Sequence, residues 1–319
     1  MNEFFNNIKV KYNYSDEFIK ILSDIMYSFI VVLGESNLDK IIYVFENVFI
    51  YEYENVKEAG EFATTYFNNG KTYSFSSVAT GGGVIENDYY LDKNGNLDEK
   101  VLILLQKGNY SEKNIQTLIH ELCHAISSIN GFLLKDNIIY TVSGVSSASY
   151  EFDGKYKGKI VESSNNIFNE IITENLAVQV MDVYDNKTSH NAINYSGITE
   201  KFRKIFRNES INSVIIYDYL NHSSNFMDVL NILYNEEDLK NIVEYLYTVI
   251  DINNLELKNY LDTIYNMSVE DFFNIYIEYS NYLFGNPFGI DKETFKIMKQ
   301  INNEIVLELS NKLEINIDL

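Results

Sequence analysis

The chain has no tryptophan, one cysteine, one proline and only four histidines in 319 residues. A single cysteine excludes an internal disulfide and any zinc cluster built on paired thiolates. Basic residues are scarce beside acidic ones: 25 Lys plus Arg stand against 46 Asp plus Glu, a net charge of −21. Nucleic acid and anionic membrane surfaces both demand a basic patch, so neither is an expected partner. Long apolar runs are missing as well. The stretch from Ile25 to Leu33 is broken by Ser28 and falls far short of the roughly 20 residues that span a bilayer. Met1 to Lys11 mixes acid, base and asparagine without a leader-type apolar core. The expected compartment is therefore the cytoplasm, with export without a leader as the alternative. Internal repeats and low-complexity linkers are also absent from the sequence.

What is present is enough apolar material for a core: 46% of residues are hydrophobic. Tyrosine is abundant at 26 residues, in a chain crowded with Asn, Ile and Lys, a bias of the kind AT-rich coding produces. Single tyrosines therefore carry little weight. Ser15 opens a helical pattern in which Phe18, Ile21, Leu22, Ile25, Met26 and Phe29 recur at three and four. The spacing predicts further helices over about 37–47 and 56–67, with a strand at 48–53 between them. Short apolar runs and the turn Asp92-Lys93-Asn94-Gly95 predict β-hairpins over 71–106, ending in the strand Val101 to Leu105. A helix is expected over 111–129, a β stretch over 138–161 turning at Phe152-Asp153-Gly154, and another helix over 166–184. Beyond His190 the pattern is helical to the end, punctuated at Gly197, Asn208, Asn221 and the Gly285-to-Gly289 segment.

The first helix of the last group carries His120-Glu121-Leu122-Cys123-His124. This HExxH pattern is a known zinc-peptidase signature, and its spacing has a physical reason. Residues i and i+4 lie one turn apart, so two imidazoles converge on one metal. The glutamate after the first histidine projects beside the open coordination position, where it takes a proton from zinc-bound water. Ile115, Leu118, Ile119, Leu122, Ile126 and Ile129 form an apolar stripe. His120 and His124 fall roughly opposite it, facing an expected cleft. Ser111 is the expected N-cap. Cys123 is expected to be a packed thiol and not a ligand.

Downstream, Asn169-Glu170-Ile171-Ile172-Thr173-Glu174 lies on the other predicted helix. Glu170 and Glu174 share a face. Two stacked carboxylates repel each other and call for a cation, which a metal with a hydrogen-bonded histidine supplies. Read alone, the pair is an exposed acidic face in a very acidic chain.

HExxH followed by N-E-x-x-(S/T)-(D/E) resembles the gluzincin group of zinc metallopeptidases, which includes thermolysin-like and aminopeptidase-like enzymes. The resemblance covers roughly residues 100 to 185 and identifies no subfamily. It implies His120, His124 and Glu170 as zinc ligands, Glu121 as general base, and Glu174 as the acid that hydrogen-bonds His120. Asn169 matches the asparagine before the ligand. The implied fold is α+β: a zincin-like α/β lobe with the active-site helix over residues 1–190, then an all-helical lobe over 191–319. The implied enzyme is a hydrolase holding one Zn2+, acting on a peptide or protein, with the site between the lobes. The β stretch inserted between His124 and Glu170 lengthens a connection that is much shorter in the best-known gluzincins. Upstream, Gly83-Val84-Ile85-Glu86-Asn87 is similar to the G-x-M-E-N segment of gluzincin aminopeptidases, whose glutamate binds the free amine of the substrate; the other reading is a glycine turn entering a strand.

In the expected chemistry Glu121 activates water on zinc, attack on a polarised peptide carbonyl follows, and Glu121 returns the proton to the leaving amine. Val101 to Leu105 is expected to be the sheet edge that pairs with an extended substrate. Tyr140, Tyr150, Tyr156, Tyr195, His190 and His222 are all open as the oxyanion donor. The alternative from another class is a regulatory or binding module that retains the zinc site as a structural staple. A helical scaffold without metal is the third.

Overall fold

A strand whose side chains are apolar in unbroken succession must be covered on both faces, and Val101 to Leu105 is such a run. In a computed structural model this strand forms the middle of the first sheet. The structure describes residues 2–75, 83–108, 110–164, 166–187, 190–193, 203, 206–207, 209–223, 236–249, 254–268, 271–272, 275–276 and 290–317. The expected landmarks Tyr195, Gly197, Asn208 and Gly285 to Gly289 lie outside those residues. The fold is mixed α+β, and the chain separates into two compact units, 1–196 with 219–222 and 197–218 with 223–319. A single cut at residue 190 has no place for the return of Tyr219–His222 to the first unit.

In the first unit, α1 (Asn2–Tyr12), α2 (Asp16–Leu33) and α3 (Leu38–Asn47) lead into β1 (Phe49–Tyr53) and α4 (Val56–Phe67). Ser15 caps α2 by accepting from the Phe18 N–H, and Asn55 caps α4 by accepting from the Glu58 N–H. β2 (Gly83–Leu91) and β3 (Leu97–Gln106) complete a three-stranded sheet in the order β1-β3-β2. β1 runs parallel to β3, with Phe49 opposite Leu102, and β2 runs antiparallel, with Ile85 opposite Ile103. β3 is thus hydrogen-bonded on both sides and is not the sheet edge expected from sequence. The edge strands of this sheet are β1 and β2.

Alternation along β3 sorts its side chains. Leu102 and Leu104 pack with Tyr53, Ala59, Ala63 and Phe67 on the α4 side. Val101, Ile103 and Leu105 face the other way, where the helix α5 (Glu112–Ser128) packs against β2 and β3. Ser111 caps α5 as expected, accepting from the Asn114 N–H.

Between α5 and α6 (Asn166–Tyr184) lies an antiparallel meander of four strands: β4 (Phe132–Lys135), β5 (Ile138–Ser143), β6 (Ser146–Phe152) and β7 (Lys157–Ser164). It is tied to the edge strand β2. Leu91 N–H donates to Lys155 O at 3.4 Å, Tyr90 bridges Tyr156, and the Lys157 ammonium donates to Asn87 O. At its other end the turn between β5 and β6 wedges against α6. Val145 N–H donates to Asn169 Oδ1 at 3.1 Å, and Gly144 N–H donates to Ser127 O at 3.2 Å. Gly144 has φ +58, and a Cβ there would collide with Asn169 Oδ1 and lie 2.6 Å from the Tyr219 ring.

The second unit contains α8 (Glu236–Val249), α9 (Leu255–Tyr265) and α10 (Lys292–Ile317), each packed on the other two. Leu239, Val243, Leu261, Ile264, Ile305 and Leu309 are buried among them, and Tyr260 donates to Asn302 Oδ1 at 2.7 Å. The remaining helix, α7 (Glu209–Asn221), ends with residues of the first unit. Among the described residues, no helix is long and apolar enough to cross a membrane.

Two glycines separate backbone strain from close packing. Gly154 also has positive φ (+92) but open space around its Cβ position. Gly154→Ala is expected to cost about 1 kcal/mol, from the left-handed backbone alone. Gly144→Ala adds a clash with buried neighbours and should cost about 2–4 kcal/mol. Urea unfolding midpoints of the two variants measure the difference.

Candidate metal centre

The polar side of α5 is not open. Every residue from Ile115 to Ser128 is buried, including His120, Glu121 and His124. The apolar stripe lies against the sheet, and α6 packs across the histidine side. On that side α5 packs against α6, itself buried from Ile171 to Val178, while the side chains of His124 and Glu170 keep 10% and 27% of their surface exposed.

Three ligand-type atoms meet at that interface. His120 Nε2 lies 3.2 Å from His124 Nε2. Glu170 Oε2 lies 3.3 Å from His120 Nε2 and 3.3 Å from His124 Nε2. Around a tetrahedral zinc with ligand bonds of 2.0–2.2 Å, neighbouring donors stand about 3.3–3.5 Å apart. The triangle has nearly those edges. Its donor set, two imidazole nitrogens and a carboxylate, suits zinc, and two imidazole nitrogens that face each other at this distance call for a shared proton or a metal ion between them.

Glu174 sits one turn beyond Glu170 and is fully buried, so it is not a solvated surface acid. Its Oε2 stands 2.7 Å from His120 Nδ1. With Nδ1–H donating to that carboxylate, Nε2 of His120 is left to face the triangle. Oε1 of Glu174 accepts from Ile193 N–H at 2.6 Å and from Gln116 Nε2 at 3.2 Å. On the other histidine, Nδ1 of His124 lies 3.5 Å from Thr173 Oγ1, which is 2.6 Å from the Tyr219 hydroxyl.

Glu121 follows His120 on the same helix, against the edge strand. A Cβ on Gly83 would lie 3.5 Å from Glu121 Oε1, and the Ile85 N–H donates to its carboxylate. Burial raises the Glu121 carboxyl above its ordinary range, opposed by the neighbouring His120 and His124. Glu170 shows the opposite balance. Burial works to raise it, but the charges and hydrogen bonds of His124 and His120 hold it far below the usual carboxylate range. For His120, burial works to lower the value, yet hydrogen bonds to Glu170 and Glu174 carry it well above 6.5. Cys123 is wholly buried, and burial drives its thiol well above the usual range, as fits a packed side chain.

Other expected participants point elsewhere. Val84, one residue after Gly83, packs on the α4 side of the sheet. Glu86 shares that face by alternation and feels Lys157 and Lys71, so it is turned away from Glu121. Tyr140 is exposed on β5. The Tyr156 hydroxyl reaches Asn68 O, His222 Nε2 reaches Ser127 O, and His190 is held by Asp182 and Asp185. Glu112, Asp185 and His190 also bring ligand atoms together. Lys187 already stands as a cation among them, 2.7 Å from Asp185 and 3.3 Å from Glu112. Gln116, Ile193 and Tyr219 were not anticipated. Gln116 precedes His120 by four residues and shares its helix face, a legible signal; Tyr219 is one tyrosine among 26.

The hydrogen bonds of His120 to Glu170 and Glu174 favour its protonated form, whereas zinc takes the neutral ring, so zinc binding should release protons. Zinc affinity should therefore rise with pH. Calorimetric titrations in buffers of different ionisation enthalpy read that release directly. Glu174→Ala should weaken zinc binding about 10–100-fold, a milder loss than Glu170→Ala, which removes a ligand. Competition with a chromophoric chelator ranks the two.

Comparison with family models, with curated proteins and with solved structures finds no match for this chain.

Proposed function

We propose that this protein is a zinc-dependent metallopeptidase of gluzincin type, with His120, His124 and Glu170 as ligands and Glu121 as the general base. The observation that carries this reading is the triangle of 3.2 and 3.3 Å edges between His120 Nε2, His124 Nε2 and Glu170 Oε2, with Glu174 bonded behind His120. When bound, zinc supplies Lewis acidity, which makes water a nucleophile near neutral pH and draws electron density from a carbonyl oxygen. The zincin-like lobe is part of the same proposal and rests on α5 packed between the mixed sheet and the helix that brings Glu170.

The chain's own residues divide the remaining work. Glu121 is the base beside the triangle. Burial leaves its carboxylate poorly solvated and more basic than a surface glutamate, suited to taking a proton from water and passing it to the departing amine. The Ile85 N–H holds that carboxylate against β2. Glu174 and Glu170 keep negative charge around His120 and fix its ring. The sheet edge beside Glu121 is β2, so an extended peptide would be aligned along β2 and not along β3.

A catalytic reading is favoured over a structural staple by the ligand count. Structural zinc sites are closed by four protein ligands. Here three protein donors converge among the described residues, and the Glu170 side chain keeps 27% of its surface exposed.

The test is a peptide-library digest with and without chelator, on protein of measured zinc content. Chelator-sensitive cleavage is the expected result. Glu121→Gln should keep its zinc and lose about two to four orders of magnitude of turnover, the usual worth of a positioned base. Near-normal turnover in Glu121→Gln would refute Glu121 as the base. Bound zinc without any cleavage would favour the structural staple.

A further inference from the structure

Resting on the metal-site reading above, we infer that Gln116 is a positioning residue. It clamps the 190–193 strap onto Glu174 and thereby sets how strongly His120 holds the metal. A carboxylate removed from water needs donors for both oxygens. Glu174 is fully buried, and one of its oxygens is committed to His120. The other takes the Ile193 N–H at 2.6 Å and the Gln116 amide at 3.2 Å. The same Gln116 nitrogen donates to Asn191 O at 2.9 Å. The Gln116 amide therefore joins the carboxylate to the strap at Asn191, and two residues on the strap bonds the same oxygen directly through the Ile193 N–H.

The far end of the strap is pinned independently. His190 is 3% exposed. Its backbone N–H and its Nδ1 both meet Asp182 Oδ1, at 2.9 and 2.7 Å, and its Nε2 lies 2.9 Å from Asp185 Oδ2. Asp182 belongs to the last turn of α6, the helix that also carries Glu170 and Glu174, and Asp185 follows its last residue, Tyr184. The strap thus leaves α6, returns along it and delivers the Ile193 N–H to a residue two turns earlier. Gln116 comes from α5, four residues before His120. The bonding runs from His190 through the strap to Gln116 and Glu174, and ends on the imidazole that faces the metal triangle.

This arrangement acts on the metal in two ways. The donors on Oε1 hold Glu174 in place, which maintains its hydrogen bond to His120 Nδ1 and the donor strength of Nε2. They also fix the carboxylate plane, and so the ring angle. Gln116 touches neither the triangle nor any atom that a substrate would reach there, so its effect passes through Glu174.

A double-mutant cycle on the full chain tests this, with zinc affinity read by chelator competition and the coordination geometry by the visible spectrum of the cobalt(II) form. Gln116→Leu removes the amide at similar volume and should weaken zinc binding about tenfold or more. In a Glu174→Ala background the same change should have under about a twofold effect, since coupled residues are non-additive. The cobalt spectrum should shift in Gln116→Leu, whereas a purely structural role would lower the melting temperature and leave spectrum and affinity alone. His190→Gln loosens the strap from its far end without touching Glu174. It should weaken zinc in the same direction, and it carries the test if Gln116→Leu does not fold. Unaltered affinity, or equal losses in the two backgrounds, overturns the proposal while leaving the metal site standing. No metal uptake by the unaltered protein overturns both.

Discussion

A carboxylate with no access to water sits between the two helices that carry the His120, His124 and Glu170 triangle, and it is tolerable because donors reach both of its oxygens. Glu174 takes the His120 ring on one oxygen, and the Ile193 N–H and Gln116 amide on the other. An unpaired charge at that depth would cost several kcal/mol. The contacts that satisfy it also decide the geometry. They set the distance between α5 and α6, draw the 190–193 strap back across them, and present Nε2 of His120 to the triangle. Glu170, one turn earlier and partly exposed, is left to complete it.

The same economy explains why both helices are buried all round. α5 has an apolar side for the sheet and a polar side whose groups are matched by α6, by β2 at Glu121, by β5 at Ser127 and by Asn191, so neither side needs solvent. The β meander between them is more than a tolerated insertion. Loop closure grows slowly with length, so 46 positions between His124 and Glu170 carry little entropic penalty. What the meander adds is a fixed point. The Gly144-Val145 turn bonds Ser127 at the end of α5 and Asn169 at the start of α6. Asn169, beside the ligand Glu170, is therefore held through its own side chain. At its other end the meander grips β2, the strand lying against Glu121.

Local pattern was a good guide where one helix or strand answers to its own spacing. The limits of α6 were legible in full, and those of α5 and β1 to within one residue, because caps and apolar periodicity act over a few neighbours. The pairing of His120 with His124 and of Glu170 with Glu174 on single helix faces needed only 3.6 residues per turn. Pattern was a poor guide to what lies beside what. β3 reads as a strand in any context, but whether it is central or an edge depends on which strands reach its two sides. Glu86 sits at a suggestive distance before His120, yet the pleat turns it to the opposite face from Gly83.

By itself, then, the sequence determined the elements, the absence of an internal disulfide and of a paired-thiolate zinc cluster, and two helices each carrying a pair of potential metal-site residues. Helix geometry is written in one stretch of chain, so those features need no partner to be read. Only the tertiary structure decided that the two pairs meet, that Glu174 is buried behind His120 and not solvated among 46 acids, and that Gln116, Ile193 and Tyr219 stand around them. Those contacts join residues 19 to 75 positions apart. No local propensity encodes such a meeting; it follows from burying both helices against a sheet and satisfying every polar group that burial strands between them.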